Sequence, residues 1–258
     1  MLKRERLLTI SEMVNKKGIL TVNEIMDQLK VSDMTVRRDL DELEKSGKLL
    51  RVHGGAQSLT YTLDQELSHT EKSVMQIEEK QQIAAAAARL INDGDTIFLG
   101  PGTTIELLAS FLIQRRLRII TNNYAVFEVL AQAEIPEILL IGGDFRKNTG
   151  AFVGPITNEN LRKLKFTKAF ISSNGVHNEA ISTYSTEEGE AQQIALNNSK
   201  TKYLLVDNQK FNRDDFYVFY NLHDLDLLIT DHRVSPRVKE HYSQYVHLKI
   251  AEPLANNA

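Results

Sequence analysis

Residues 32 to 56, SDMTVRRDLDELEKSGKLLRVHGGA, hold the pattern that most narrows what this chain can become. Val36, Leu40 and Leu43 recur at i, i+4 and i+7, which lays a single apolar stripe along a short helix. Ser32 stands where an N-cap would, Asp33 suits the positive helix end, and Gly47 stops the helix. At about 100° per residue, Met34, Arg38, Asp41 and Lys45 fall on the face away from the stripe, with Thr35 and Arg37 flanking near the N-terminal end. A helix with one buried seam and a donor-rich N-terminal outer face suits the major groove of DNA, where arginine donates two bonds to guanine.

The residues before it extend the pattern. Glu5 to Asn15 has helical periodicity through Leu7, Ile10 and Val14, and Gly18 breaks it. Thr21 caps a second short helix with Val22, Ile25, Met26 and Leu29 on its inner face, and Lys30 and Val31 turn the chain into the third. Two helices, a turn and a recognition helix make a helix-turn-helix. Lys48 to Val52 reads as a strand and His53-Gly54-Gly55 as a turn, so a wing follows. The DNA-reading set is therefore Ser32, Met34, Thr35, Arg37, Arg38 and Lys45 on the helix, with Arg51 and His53 on the wing. The competing reading is a three-helix interaction module whose arginine pair is a solvated face. Asp39, Asp41, Glu42 and Glu44 favour it, because acids along the helix repel phosphate, although they sit mostly in its C-terminal half.

The run from Val31 to Ala56 resembles the N-terminal signature of the DeoR family of bacterial transcriptional repressors. Thr35, Arg37, Arg38, Asp39 and Leu40 match its recognition helix, and Arg51, His53, Gly54, Gly55 and Ala56 match its wing end. The resemblance implies a winged helix-turn-helix that binds double-stranded operator DNA, usually as a homo-oligomer (dimer or tetramer).

Charge is informative only once divided. Residues 1 to 57 carry 11 Lys and Arg against 9 Asp and Glu, a net +2, and the remainder carries 20 against 25, a net −5. A head at +2 depends on where its cations sit and on dimerisation more than on a bulk positive field. There is no cysteine, hence no disulfide framework and no thiolate metal site, and the seven histidines lack ligand-like spacing. No metal and no cofactor are expected. The N-terminus shows no signal-peptide core and no apolar run reaches spanning length, so a cytoplasmic protein without a membrane partner is expected.

After a polar stretch the pattern changes. Val74 to Ile91 is alanine-rich and helical, and then short apolar runs alternate with helical segments. Strands are predicted at 96–99, 117–121, 137–141, 168–171, 203–206, 225–229 and 246–250. Helices are predicted at 103–112, 123–133, 158–164, 186–199 and 236–242. The alternation predicts an α/β domain with a mainly parallel sheet covered on both faces. The organisation read from the sequence is a winged helix-turn-helix over 1–57, a linker over 58–80 and an effector domain over 81–258.

Ligands of such folds gather outside the carboxyl ends of the strands. Those ends are polar here: Gly100-Pro101-Gly102-Thr103-Thr104, Thr121-Asn122-Asn123, Gly142-Gly143-Asp144 with Arg146, Ser172-Ser173-Asn174-Gly175, and Asp207 with Lys210. GPGTT opens a helix and can present backbone N–H groups and two hydroxyls to an anion. It is neither a P-loop nor a dinucleotide fingerprint, since no Gly-Lys-Ser/Thr follows and the third glycine is missing. Alone it is more often a tight turn; with four other polar strand ends, Arg146 and Lys210, a small anionic ligand is the better reading.

The segments GDTIFLGPGTT, TNN, LIGGDFR and VDNQKF resemble the DeoR effector domain, which is similar in fold to ribose-5-phosphate isomerase and usually senses phosphorylated sugars. The resemblance implies a phosphate loop at Gly100, Gly102, Thr103 and Thr104. It implies strand-end contacts at Thr121, Asn122, Gly142, Gly143, Arg146 and Asn174, with Lys210 as a facing cation. The chain departs from the family's usual glycine-containing segment at Ser172-Ser173-Asn174-Gly175-Val176. That variant resembles regulators of lactose and galactose phosphotransferase operons, which implies a hexose phosphate of the tagatose or galactose type. The alternative is a sugar-phosphate isomerase fused to a helix-turn-helix interaction module. Isomerisation needs an acid–base pair, and the isomerases' paired aspartates and lysine-glycine run are missing at SSNGV. Glu187, Glu188 and Glu190 read instead as favourable charge at a helix N-terminus. No catalytic residue is assigned, and a regulator is expected.

Overall fold

A computed structural model of the chain describes residues 3–17, 19–52, 55–58, 66–133, 135 and 137–254, and it divides into two compact units, residues 1–66 and 67–258.

The first unit runs α1 (Lys3–Lys17), β1 (Ile19–Thr21), α2 (Val22–Leu29), α3 (Asp33–Lys45), β2 (Leu49–Val52) and β3 (Gly55–Ser58). Ile10 and Val14 of α1, Ile25 of α2, and Val36, Leu40 and Leu43 of α3 form one buried core. The predicted apolar stripe therefore faces inward. Thr21 closes a capping box: its hydroxyl accepts from Glu24 N at 3.3 Å, and the Glu24 carboxylate accepts from Thr21 N at 2.8 Å. Ser32 has N-cap backbone geometry, but its hydroxyl bonds the Thr35 hydroxyl at 3.0 Å and no backbone N–H.

The wing differs from the sequence reading. β1 joins it as a third strand, in the order β1-β3-β2, with both pairings antiparallel. Gly55 is consequently a strand residue, opposite Thr21 and Val52, and not part of a turn. Three residues of β1 are too short to show a period. The register explains the glycine: a Cβ at Gly55 would lie 2.1 Å from the Leu20 carbonyl oxygen. Gly18, His53 and Gly54, read as a helix break and a turn, lie outside the described residues.

The second unit opens with α4 (His69–Ser73) and α5 (Ile77–Ala88). There follow β4 (Thr96–Leu99), α6 (Thr103–Ser110), β5 (Arg118–Thr121), α7 (Tyr124–Ala131), β6 (Glu137–Leu140), β7 (Asp144–Arg146), β8 (Ala151–Val153) and α8 (Pro155–Arg162). The chain ends with β9 (Phe166–Ile171), β10 (Gly175–His177), β11 (Ala180–Thr183), α9 (Thr186–Asn197), β12 (Ser199–Leu205), β13 (Tyr217–Asn221), β14 (Leu227–Thr230), α10 (Pro236–Tyr242) and β15 (Leu248–Ile250). Residues 67–80, read as part of a connection, thus carry α4 and the start of α5.

Seven strands form one sheet in the order β15-β14-β12-β9-β4-β5-β6, and every neighbouring pair is parallel. Alternate side chains feed two cores, as a doubly covered sheet requires. Ile97 and Leu99 of β4 join Ile105 and Leu108 of α6 in one. Phe98 joins Ala191 and Ala195 of α9 in the other. The chain steps from β4 through β5 to β6, then returns to β9 and proceeds the other way, so the topological switch lies between β4 and β9. Two antiparallel additions were not expected from the sequence: the sheet β10-β11-β13 and the hairpin β7-β8.

Candidate functional site

The outer face of α3 is open. Met34 is 67% exposed, and Thr35, Arg37, Arg38 and Lys45 lie on the unburied surface. Arg37 is held by Asp33 one turn earlier in an exposed ion pair, which raises its pKa through the hydrogen bond to that carboxylate. Arg38 has no hydrogen-bonding or ionic partner among the described residues, so its guanidinium is available to an incoming base edge.

The acids that argued against DNA are accounted for individually. Asp39 is 2% exposed and accepts two bonds from Arg6 of α1, at 2.5 and 3.1 Å, so it belongs to the interior. Glu42 pairs with Lys3 at 2.6 Å, and Asp41 lies 3.6 Å from Arg51. Glu44 accepts from the Arg51 backbone N–H at 2.9 Å. Arg51, placed in the DNA-reading set from the sequence, is accordingly engaged with α3 and only partly exposed. His53 lies outside the described residues.

In the second unit the carboxyl ends of β4, β9 and β12 enclose a cavity at the topological switch. Gly102, Thr103 and Thr104 line it, as expected. Gly102 is the N-cap of α6 with φ +137°, and a Cβ there would also lie 3.1 Å from Ser172 Cβ. The first N–H groups of α6 therefore open onto the cavity beside the Thr103 and Thr104 hydroxyls, which have no partner among the described residues. Asn174 lines it from β9, accepting from Lys72 Nζ at 3.0 Å and donating to Asp215 at 2.7 Å.

Cations converge on the same cavity. Lys72 of α4, Lys80 of α5 and Lys210 after β12 all line it. Burial pushes the Lys210 ammonium down to about 8, opposed by Asp207 and reinforced by Lys72, Arg213 and Lys80. Lys80 is likewise lowered, chiefly by burial, and donates to the Lys72 carbonyl. His69 also lines the cavity; its ring bonds Glu106 at 2.6 Å, and that bond raises its pKa against the opposing effect of burial. Three clustered ammonium groups in a shielded crevice create a demand for an anion.

Other expected ligand residues lie elsewhere. Thr121 donates to the Leu99 carbonyl at 2.7 Å, and Asn122 donates to Phe152 O at 2.8 Å. The hairpin β7-β8 plugs the end of β5 through the Asn122 contact, through Asn123 to Thr149 O, and through Tyr124 N to Gly150 O. Gly142 is exposed and accepts from Thr157, whereas Gly143 is a packing position, where a Cβ would lie 2.1 Å from Thr157 Oγ1. Gly100 donates to the Phe170 carbonyl at 2.9 Å. None of Gly100, Thr121, Asn122, Gly142 and Gly143 lines the cavity. Arg146 does not line it either, but lies 3.3 Å from Glu188, which does.

Glu188 stands in the first turn of α9, as the sequence reading has it, and also lines the cavity. Glu187 serves the start of α9, accepting from Ser185 at 2.7 Å, and Glu190 pairs with Arg162 at 3.1 Å. Glu188 is 4% exposed, faces the cavity and accepts from Thr149. Lys72, Lys80, Thr149, Glu188 and Gln192 were not singled out as ligand residues because they arrive from helices and a hairpin, not from strand ends. One signal was present: Ser68 and Glu71 form a capping box that predicts α4 and so places Lys72 on a helix.

A model of the DeoR-like helix-turn-helix domain matches residues 6–62, and one of the DeoR C terminal sensor domain matches residues 75–232. The lactose phosphotransferase system repressor of Lactococcus lactis subsp. lactis is 48% identical, over 94% of this chain and 96% of its own length. The protein of the same name from Streptococcus mutans is 49% identical, over 90% of this chain and 93% of its own length. Among solved structures, ribose 5 phosphate isomerase A from Neisseria gonorrhoeae aligns over 51% of this chain and 52% of that chain, at 14% identity and a TM-score of 0.39.

Proposed function

The chain belongs to the DeoR family, and from that premise we propose that it is a sequence-specific DNA-binding repressor of a sugar-utilisation operon, controlled by a phosphorylated sugar. Residues 1–57 act as the reading head, 58–80 as the connection and 81–258 as the sensor, with α4 and Lys80 of the connection contributing to the sensor's cavity. The observation that carries the reading is the cavity: Lys72, Lys80 and Lys210 meet the N-terminus of α6 at the topological switch. A phosphate suits that arrangement, since it is anionic and offers acceptor oxygens to N–H, hydroxyl and ammonium donors.

The head reads operator DNA through α3, with Arg38 at base edges, and a homo-oligomer presents two or more heads to neighbouring half-sites. The effector in this reading is a hexose phosphate of the tagatose or galactose type; the relatives are named as repressors of a lactose phosphotransferase system. It acts by binding the DNA-competent and DNA-incompetent arrangements with different affinity. The protein acts in the cytoplasm, where its operator is.

The isomerase alternative is disfavoured by how the cavity's carboxylates are committed. Glu188 is tied to Thr149 and Arg146, and Asp207 accepts from Gln209 N at 3.0 Å. A base needs reach to the proton it removes, and these are engaged as structural acceptors. The deciding experiment is an electrophoretic shift of the protein's own promoter against random duplex at moderate salt, with and without hexose 6-phosphates. Preference for the promoter, altered by one sugar phosphate, is expected; equal affinity for both duplexes refutes the repressor reading, and indifference to every sugar phosphate refutes the effector.

A further inference from the structure

The cavity has two chemically different walls. Helix α6 lies on one face of the parallel sheet and brings the anion-seeking N-terminus; α9 lies on the other and brings Glu188 and, one turn later, Gln192. Residues four apart on a helix share a face, so both side chains line the cavity together. Glu188 is satisfied by Thr149 and Arg146. Gln192 is not. It is 3% exposed, its carbonyl Oε1 is buried without a hydrogen bond, and its amide makes none to any described residue.

A buried amide offers an acceptor and two donors, and leaving them unpaired is costly enough that most such groups in folded proteins find partners. The rest of α9 shows no such want: Ser185 caps its start, and Gln193 donates to Phe219 O at 3.1 Å. Gln192 is the residue on this helix that turns an unused amide toward the ligand space. Inorganic phosphate would be served by the lysines and the α6 N–H groups. A hydroxyl on a carbon skeleton, which can both donate and accept, is what this second wall lacks.

We propose that Gln192, set beside Glu188 across the sheet from the α6 N-terminus, is the residue that reads a hydroxyl of the sugar portion and so selects among phosphorylated ligands. The proposal rests on the cavity being the sugar-phosphate site and adds which group discriminates. A site built around a hydroxyl rejects an analogue lacking it strongly, because the protein's own polar group is then stranded.

The test is calorimetric titration of the full chain with D-tagatose 6-phosphate, D-galactose 6-phosphate, a series of monodeoxy hexose 6-phosphates and inorganic phosphate. The wild-type protein is expected to bind one hexose phosphate more tightly than phosphate, and to lose at least about tenfold for one deoxy position. Gln192→Met, close in length and without hydrogen-bonding groups, is expected to weaken that hexose phosphate at least about tenfold. It should leave phosphate within about twofold and no longer distinguish the deoxy analogue. Equal weakening of both ligands assigns Gln192 a structural role, and unchanged binding of both makes it a bystander; either overturns the proposal. Gln192→Asn serves if the methionine variant unfolds, because shortening the amide must also cost the hexose phosphate more than phosphate. A wild-type protein that binds no anion at all overturns the cavity reading instead, before any variant is made.

Discussion

Arg6 and Asp39, 33 positions apart, join α1 to the recognition helix through two hydrogen bonds of 2.5 and 3.1 Å, with the carboxylate 2% exposed. Asp39 lies beside the arginine pair in the sequence yet points the other way. While Arg37 and Arg38 look outward, it fixes the rotation of α3 about its own axis. In the DNA-reading head proposed here, the pair therefore sets which residues reach the groove.

Removing Asp39 leaves the Arg6 guanidinium charged, part-buried and without its partner. Asp39→Ala is expected to destabilise the head by about 1.5–3 kcal/mol, the range for hydrogen bonds to charged groups. Urea denaturation followed by helix signal measures it. The double variant Arg6→Met with Asp39→Leu is expected to recover much of the loss, because replacing a buried pair by apolar groups is often close to neutral. A double variant as unstable as the single one would show that the pair does more than satisfy itself.

The two exposed arginines should not be equivalent. Arg38→Ala is expected to weaken operator binding by about 1–3 kcal/mol and to relax preference at one base position, if its contact is bidentate. Arg37 must first leave Asp33, so Arg37→Ala is expected to cost less and to act uniformly across sequences. Electrophoretic shifts on the promoter and on single-base variants of it separate the two; equal losses without relaxed preference would remove Arg38 from base reading.

The wing tests packing. Gly55→Ala drives a methyl against the Leu20 carbonyl at 2.1 Å, and backbone on backbone has little room to yield. Overpacking in a tight site typically costs about 1–3 kcal/mol, and the upper end is expected here. Thermal unfolding of the head should fall accordingly, and operator affinity should fall with it as β3 separates from β1.

Much of this was legible because periodicity writes itself plainly over long elements. The stripe of Val36, Leu40 and Leu43 and the strand at Thr96–Leu99 appear where the apolar spacing places them. The parallel order around β4 follows from alternation and short connections. What stayed hidden was short or non-local. β1, β7 and β8 are three residues each, below any readable period. The hairpin they could not announce plugs the end of β5 and engages Asn122, while Thr121 is held by the Leu99 carbonyl of the neighbouring β4. The acids of α3 read as a repulsive face because their partners Lys3, Arg6 and Arg51 are distant in sequence. Gln192 carried no signal, since an unpaired amide is visible only once its surroundings are.

Lys210 gives the last prediction. Burial lowers its pKa from the usual 10.5 to about 8, so between those values the folded chain has released a proton that the unfolded chain keeps. Without ligand, this group's contribution makes stability rise with pH across that window. Ligand binding has the opposite slope. A phosphate monoester is already dianionic above its second pKa near 6, so above pH 8 the change lies with the cavity's lysines, Lys210 foremost and Lys80 also lowered, and the anion needs them charged. Affinity for a hexose phosphate is expected to fall by up to about tenfold per pH unit above 8, with proton uptake on binding. Calorimetry in two buffers of different ionisation enthalpy reads that uptake directly. Lys210→Met should flatten both slopes and abolish the sugar-phosphate response while leaving operator binding intact. An unchanged pH profile in that variant would take Lys210 out of the ligand's reach.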